Sequence, residues 1–211
     1  MRRLAIVLIC AGPLACAGLN QRDRGAIIGA TAGAAVGGAI GNNNGSTARG
    51  AIIGAAVGGA TGAVIGHQMD QQAKELRLEI PGATVERVGE GIAVTFASGL
   101  LYDFDSDAIR PEAARNLQNL AASLRKYPDT ELLVVGHTDA LGASAYNADL
   151  SARRASAASR YLTSQDVSAS RIRASGRGEL EPVGSNETEA GRQGNRRIEV
   201  AIFAGAAARK P

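Results

Sequence analysis

Two charged residues, Asp139 and Arg154, stand where this sequence could do chemistry. The stretch Ala145 to Leu162 has helical spacing. Stepping at about 100° per residue from Leu150 gathers Ala157, Tyr161 and Ala158 on one apolar stripe, with Arg154 inside it at about 40°. Arg153, about 60° to the other side, is an edge residue. A guanidinium inside an apolar stripe is costly unless it meets an anion or reaches solvent at a cleft. The apolar run Leu132 to Val135 ends at Gly136 and feeds the loop His137-Thr138-Asp139. Ligand sites gather where strand ends open into loops, so Asp139 is the expected neighbour of Arg154. Spacing leaves two outcomes open: a buried Asp139–Arg154 ion pair tying loop to helix, or a ligand site that uses both charges.

Other chemistries find little support. His137 and Asp139 lie two residues apart in one loop, which gives no reason for them to face each other as a hydrolytic pair. With two distant His and two Cys, no metal centre is expected, and no cofactor is implied. Gly176-Arg177-Gly178-Glu179 lacks a phosphate-loop pattern and reads as a turn. The chain is therefore expected to bind rather than catalyse. Nucleic acid is disfavoured as a partner. The net charge is only +3, and setting aside Arg2 and Arg3 leaves 21 basic against 20 acidic residues.

The elements that must position Asp139 and Arg154 follow from alternating periods. Thr84 to Val88 and Ile92 to Phe96 alternate apolar and polar around Gly89-Glu90-Gly91, as a hairpin does. Pro111 to Arg125 puts Ala113, Leu117, Leu120, Ala121 and Leu124 on one helical face. Leu132 to Val135 is a strand, Ala145 to Leu162 a second helix, Arg171 to Ser175 a short strand, and Arg197 to Phe203 a last strand with Ile198, Val200 and Ile202 alternating. Arg197 reads as a solvated strand end. The order predicts a small sandwich with helices on one sheet face.

The N-terminal third is of another kind. Of 27 glycines, 13 fall between Gly25 and Gly66, whereas all seven aromatics lie from Phe96 onward. Met1-Arg2-Arg3 and the apolar run Leu4 to Ile9 form an export signal over 1–15, too short to span a bilayer. Pro13-Leu14-Ala15-Cys16 resembles a bacterial lipobox, with Pro13 where that motif usually carries Leu, which implies lipidation of Cys16. Residues 16–24 would be a lipidated tether anchored in an outer membrane. Gly25, Gly29, Gly33, Gly37 and Gly41 recur every four residues, and Gly50, Gly54, Gly58, Gly62 and Gly66 repeat them 25 residues later. That period lines glycines along one helical stripe, and the turn chemistry of Asn42-Asn43-Asn44-Gly45-Ser46 joins two arms into a helical hairpin over 25–66. Each interior Gly costs about 1 kcal/mol relative to Ala, so packing within the hairpin, or between chains as a homo-oligomer, must offset it. The segment resembles the glycine zippers of bacterial outer-membrane lipoproteins. Residues 67–83 read as a connector, in which Met69, Ala73 and Leu76 leave a weak helical stripe leading to Pro81-Gly82, 84–203 as a compact domain and 204–211 as a flexible tail.

Within that domain, His137-Thr138-Asp139, Gly142, Tyr146-Asn147, Leu150-Ser151 and Arg154-Ala155 resemble the peptidoglycan-binding OmpA-like family. So do Asn186-Glu187-Thr188, Gly191-Arg192, Asn195-Arg196-Arg197 and the early loop Tyr102-Asp103-Phe104-Asp105-Ser106. Taken with the lipobox and the zipper, the whole chain is similar to YiaD-type outer-membrane lipoproteins. The resemblance implies an α+β fold of the OmpA C-terminal type, a βαβαβ sandwich with helices packed on one sheet. It also implies non-covalent binding of peptidoglycan through the diaminopimelate of a stem peptide. Carried over residue by residue, Asp139 would take the ligand's ammonium and Arg154 its carboxylate. Thr138 and Asn147 would orient them, and Leu150 would form an apolar wall. Phe104, Asp105 and Ser106 would line the other side, with Asn195 and Arg196 at the rim. The domain would then face the periplasm and tether the outer membrane to the wall. An alternative makes the glycine hairpin the working part, as an oligomerising or membrane-perturbing element.

Overall fold

The computed structural model describes residues 46–57 and 63–205; the export signal, Cys16, the first glycine arm and the tail after residue 205 lie outside the described residues. The helices are α1 (Thr47–Val57), α2 (Ala63–Glu79), the short α3 (Ser98–Leu101), α4 (Pro111–Lys126), α5 (Ser144–Ser164) and α6 (Glu189–Asn195). The strands are β1 (Ala83–Val88), β2 (Gly91–Ala97), β3 (Thr130–Gly136), β4 (Ile172–Gly176) and β5 (Arg197–Ala204).

Alternating side chains fix the sheet. β1 and β2 form the expected hairpin, Val88 opposite Gly91. β5 inserts between β2 and β3, antiparallel to both, and β4 extends β3 in parallel, so the order is β1-β2-β5-β3-β4. On one face Ile92, Val94, Phe96, Leu132, Val134, Ile198, Val200 and Ile202 meet Leu117, Leu120 and Leu124 of α4 and Ala158 and Leu162 of α5. Each large aliphatic side chain buried in this way contributes roughly 1.5–3 kcal/mol.

One stretch carries more structure than its sequence led us to expect. The stretch 67–83, read as a connector, carries most of α2, whose Met69, Ala73 and Leu76 are buried in that same core together with Ile80. The weak stripe of three apolar residues suffices once α4 and the β1–β2 hairpin offer it a surface. Within the second glycine arm, expected as one helix over 50–66, α1 runs to Val57 and α2 begins at Ala63, and residues 58–62 lie outside the described residues. Helices also occupy both faces of the sheet. α1 lies on the reverse face, where Ala48 and Ile52 are buried against Ala93, Val135, Ala201 and Phe203. This explains why β5 is buried along nearly its whole length. Gly91 makes room for the docked helix, because a Cβ there would come within 2.5 Å of Cγ2 of Ile52.

Strand ends set the location of the loops. Ala97 faces Arg197, and Gly136 faces both Ile198 and Gly176, so the chain leaving β2, β3 and β4 and entering β5 converges at one end of the sheet. The paired Gly136 and Gly176 let α5 settle directly on those strand ends. A Cβ on Gly136 would lie 2.1 Å from the carbonyl oxygen of Ser151, and one on Gly176 would lie 2.4 Å from the nitrogen of Ala152.

Candidate functional site

The converging loops bring the singled-out residues to one end of the sheet, in two groups. In the first, Asp139 is buried and held by the backbone nitrogen of Leu141, which donates to Oδ1 at 3.0 Å, and by Arg196, whose Nη1 lies 2.5 Å from Oδ2. Arg196 reaches on to Glu189 at 2.6 Å, and Arg192 holds the other Glu189 oxygen at 2.8 Å. Hydrogen bonds from Arg196 and then Arg192 keep the Glu189 carboxyl below its ordinary range, and Glu189 and then Asp139 raise Arg196. Asn147, on the first turns of α5, donates to the carbonyls of Asp139 and Leu141 and to Glu179, the last at 2.7 Å. Thr138 donates its backbone N–H to the carbonyl of Gly178 at 2.9 Å, while its buried hydroxyl has no partner among the described residues.

The second group centres on Arg154, only 5% exposed. Its Nε donates to the carbonyl of Ser106 at 2.8 Å and its Nη2 to that of Asp103 at 3.2 Å, and the guanidinium carbon lies 5.3 Å from the centre of the Tyr102 ring. Tyr102 in turn donates to the carbonyl of Arg154 at 2.7 Å. Burial lowers the Arg154 pKa. These bonds use two of five guanidinium donors, and among the described residues no carboxylate neutralises the charge by direct contact. The loop they hold is completed by Asp105, at φ 59°, which accepts from the hydroxyl of Tyr146. Phe104, at its tip, is 98% exposed. Leu150, between the two groups on α5, is buried yet belongs to neither apolar cluster.

The open alternative of an Asp139–Arg154 ion pair is thereby settled against: Asp139 pairs with Arg196, and Arg154 with loop carbonyls. Asn147 and Arg154 stand two turns apart on α5, so that one helix contributes to both groups.

Two further placements differ from expectation. Asn195 is not at a rim. It is 0% exposed, and its amide oxygen accepts from Val183 and Gly184 while its amide nitrogen donates to the Gly184 carbonyl and to Asn186, so its side-chain amide braces the 183–186 loop. Arg197 is no solvated strand end. It is buried and pairs with Glu199 at 2.7 Å, because α1 covers this end of the reverse face.

Sequence reasoning missed the layer around that pair. His137, 1% exposed, lies 3.8 Å from Glu199 and 3.9 Å from Glu181, with neither ring nitrogen hydrogen-bonded among the described residues. Two carboxylates so near would favour a charged ring, but Arg197 and Arg177 already neutralise them. Burial, with those two arginines, pushes the His137 pKa down to about 2. Polar residues at 197 and 199 on one face of an otherwise apolar strand were the available signal.

Residues 101–196 match the OmpA family, and residues 1–70 match the YMGG-like Gly-zipper family. Probable lipoprotein YiaD of Escherichia coli (strain K12) is 36% identical over 64% of this chain and 63% of its own length. Peptidoglycan-associated lipoprotein of Agrobacterium fabrum is 36% identical over 54% of this chain and 65% of its own. The chain thus spans a little under two thirds of either relative. The solved structure of the cell wall anchor of the T6SS from Pseudomonas aeruginosa superposes with a TM-score of 0.55 at 30% identity, over 64% of this chain and 96% of that one.

Proposed function

This chain carries an OmpA-family domain joined to a YMGG-like Gly-zipper segment, and on that premise we propose that it is an outer-membrane lipoprotein that grips peptidoglycan without catalysis. The ligand is the free amino-acid end of diaminopimelate in a stem peptide. Its ammonium lies at Asp139 and its carboxylate at the unused donors of Arg154. A planar guanidinium suits a carboxylate, and an aspartate accepts ammonium protons. The observation that carries this reading is the buried Arg154 charge, held at a loop rim by carbonyls and an aromatic face rather than by a carboxylate. Thr138 and Asn147 set the Asp139 loop, Leu150 walls the site, and Phe104, Asp105 and Ser106 form its far side. Arg196 is a rim residue that shares Asp139 with the ligand. A lipid on Cys16 anchors the chain to the membrane, with the domain in the periplasm.

The test is a pulldown with intact peptidoglycan. Asp139→Ala and Arg154→Ala variants that keep the wild-type fold should each bind about 10- to 100-fold more weakly, the loss expected for one charge-assisted hydrogen-bonding group. Undiminished binding by both would remove the assigned site. Prolonged incubation should release no soluble wall fragments.

A further inference from the structure

The turn Arg177–Glu181 is gripped from both sides of the molecule. On the site side, the Gly178 carbonyl accepts from the Thr138 backbone, Gly178 donates to the Ser151 hydroxyl at 2.9 Å, and Glu179 accepts from Asn147. On the reverse side, the same turn holds the start of α1. Glu181 accepts from both the backbone nitrogen and the hydroxyl of Thr47, the former at 2.9 Å. Arg177 donates to that hydroxyl at 2.9 Å and lies 3.5 Å from Glu181. Beside it, Ser46 donates to Glu199 and accepts from the Arg49 backbone at 3.1 Å, as a helix N-cap does. Two glutamates of the domain thus meet the start of α1, Glu181 at the Thr47 backbone N–H and Glu199 at the Ser46 hydroxyl, and Glu181 sits on the turn that holds Thr138 and Asn147.

We propose that Thr47 is a positioning residue for wall binding: by holding the Arg177–Glu181 turn, docked α1 fixes the Thr138 and Asn147 arrangement at the site. The proposal rests on the peptidoglycan reading above. Its physical content is a coupling between two packed surfaces that share one short turn. Coupling of this kind is reciprocal, so docking of α1 strengthens wall binding by the same factor that a bound wall fragment strengthens docking. The helix that continues from the glycine-rich segment is therefore part of the binding apparatus.

Two measurements on the full chain in detergent test this. Thr47→Val removes the hydroxyl shared by Glu181 and Arg177, while Thr47→Ser keeps it. Binding to intact peptidoglycan should weaken about five-fold or more for Thr47→Val and stay near wild type for Thr47→Ser. In the wild-type chain, soluble muropeptides should slow amide exchange over residues 47–57 by a comparable factor. Equal binding by Thr47→Val and wild type, or α1 exchange that ignores saturating muropeptide, would overturn the proposal while leaving the wall-binding reading intact. A wild-type chain that fails to bind peptidoglycan would overturn both.

Discussion

At the scale of single residues, the groups that shape this molecule are buried charges whose partners come from far away in sequence. Arg154 was legible because a helix has a fixed angular step, which exposes a charge in an apolar stripe. Its partners were not, since nothing in the spacing says that carbonyls of Asp103 and Ser106 arrive from a loop about fifty residues earlier. Asp139 likewise finds Arg196, 57 residues on. His137 is the sharpest case. Faced by Glu181, Glu199, Arg177 and Arg197, it stays neutral in the folded chain down to about pH 2, whereas in the unfolded chain it titrates at about 6.5. The unfolded state therefore takes up the extra proton as pH falls, and the stability that neutral His137 contributes is fully present above about 6.5 and lost below it. Acidification from pH 7 to 5 should cost about 2 kcal/mol through this residue alone. Urea denaturation across that range checks the value. A His137→Gln variant should lose most of the slope, and an unchanged slope would assign it to other groups.

Elements reveal a different limit of sequence reading. The hairpin, α4, α5 and β3 to β5 were readable because each shows one period over enough residues. α1 is harder, since Gly50-Ala51-Ile52-Ile53-Gly54 carries both a glycine stripe and an aliphatic stripe, about half a turn of the helix apart. Only the tertiary structure shows that Ala48 and Ile52 face the sheet. In 67–83 the local pattern shows a weak helical stripe at Met69, Ala73 and Leu76, but their burial comes from the shared core, which the local pattern does not contain. One element-level consequence is testable. The contact of α5 with β3 and β4 depends on the absence of side chains at the facing pair Gly136 and Gly176. Gly136→Ala should push α5 outward and destabilise the fold by about 1–3 kcal/mol, as overpacking does. Because α5 carries Asn147, Leu150 and Arg154, peptidoglycan binding should fall even where the variant remains folded. Thermal melts together with pulldown separate the two effects.

For the whole molecule, the question is whether the lipid or the glycine repeat holds the chain at the membrane. Among the described residues no helix is long and apolar enough to cross a bilayer, so α1 and α2 supply no span. Acyl chains at Cys16 would contribute about 0.8 kcal/mol per buried methylene, and two or more such chains anchor stably where one does not. The proposed lipid on Cys16 and the proposed wall site would together make a bivalent tether. Once the lipid is in place, the wall site works at the effective concentration that the intervening chain sets, so modest affinity for peptidoglycan suffices to hold position. The two attachments should then separate cleanly by mutation. Cys16→Ser should shift the chain from the membrane to the soluble fraction while leaving binding to isolated peptidoglycan unchanged, and Asp139→Ala should stay with the membrane while losing the wall. Fractionation of cells expressing each variant, with mass measurement of the wild-type N-terminus, reads both outcomes. A Cys16→Ser chain that still sediments with membranes free of peptidoglycan would transfer the anchoring role to the glycine-rich segment, and with it the balance between a lipoprotein tether and a zipper that works at the membrane itself.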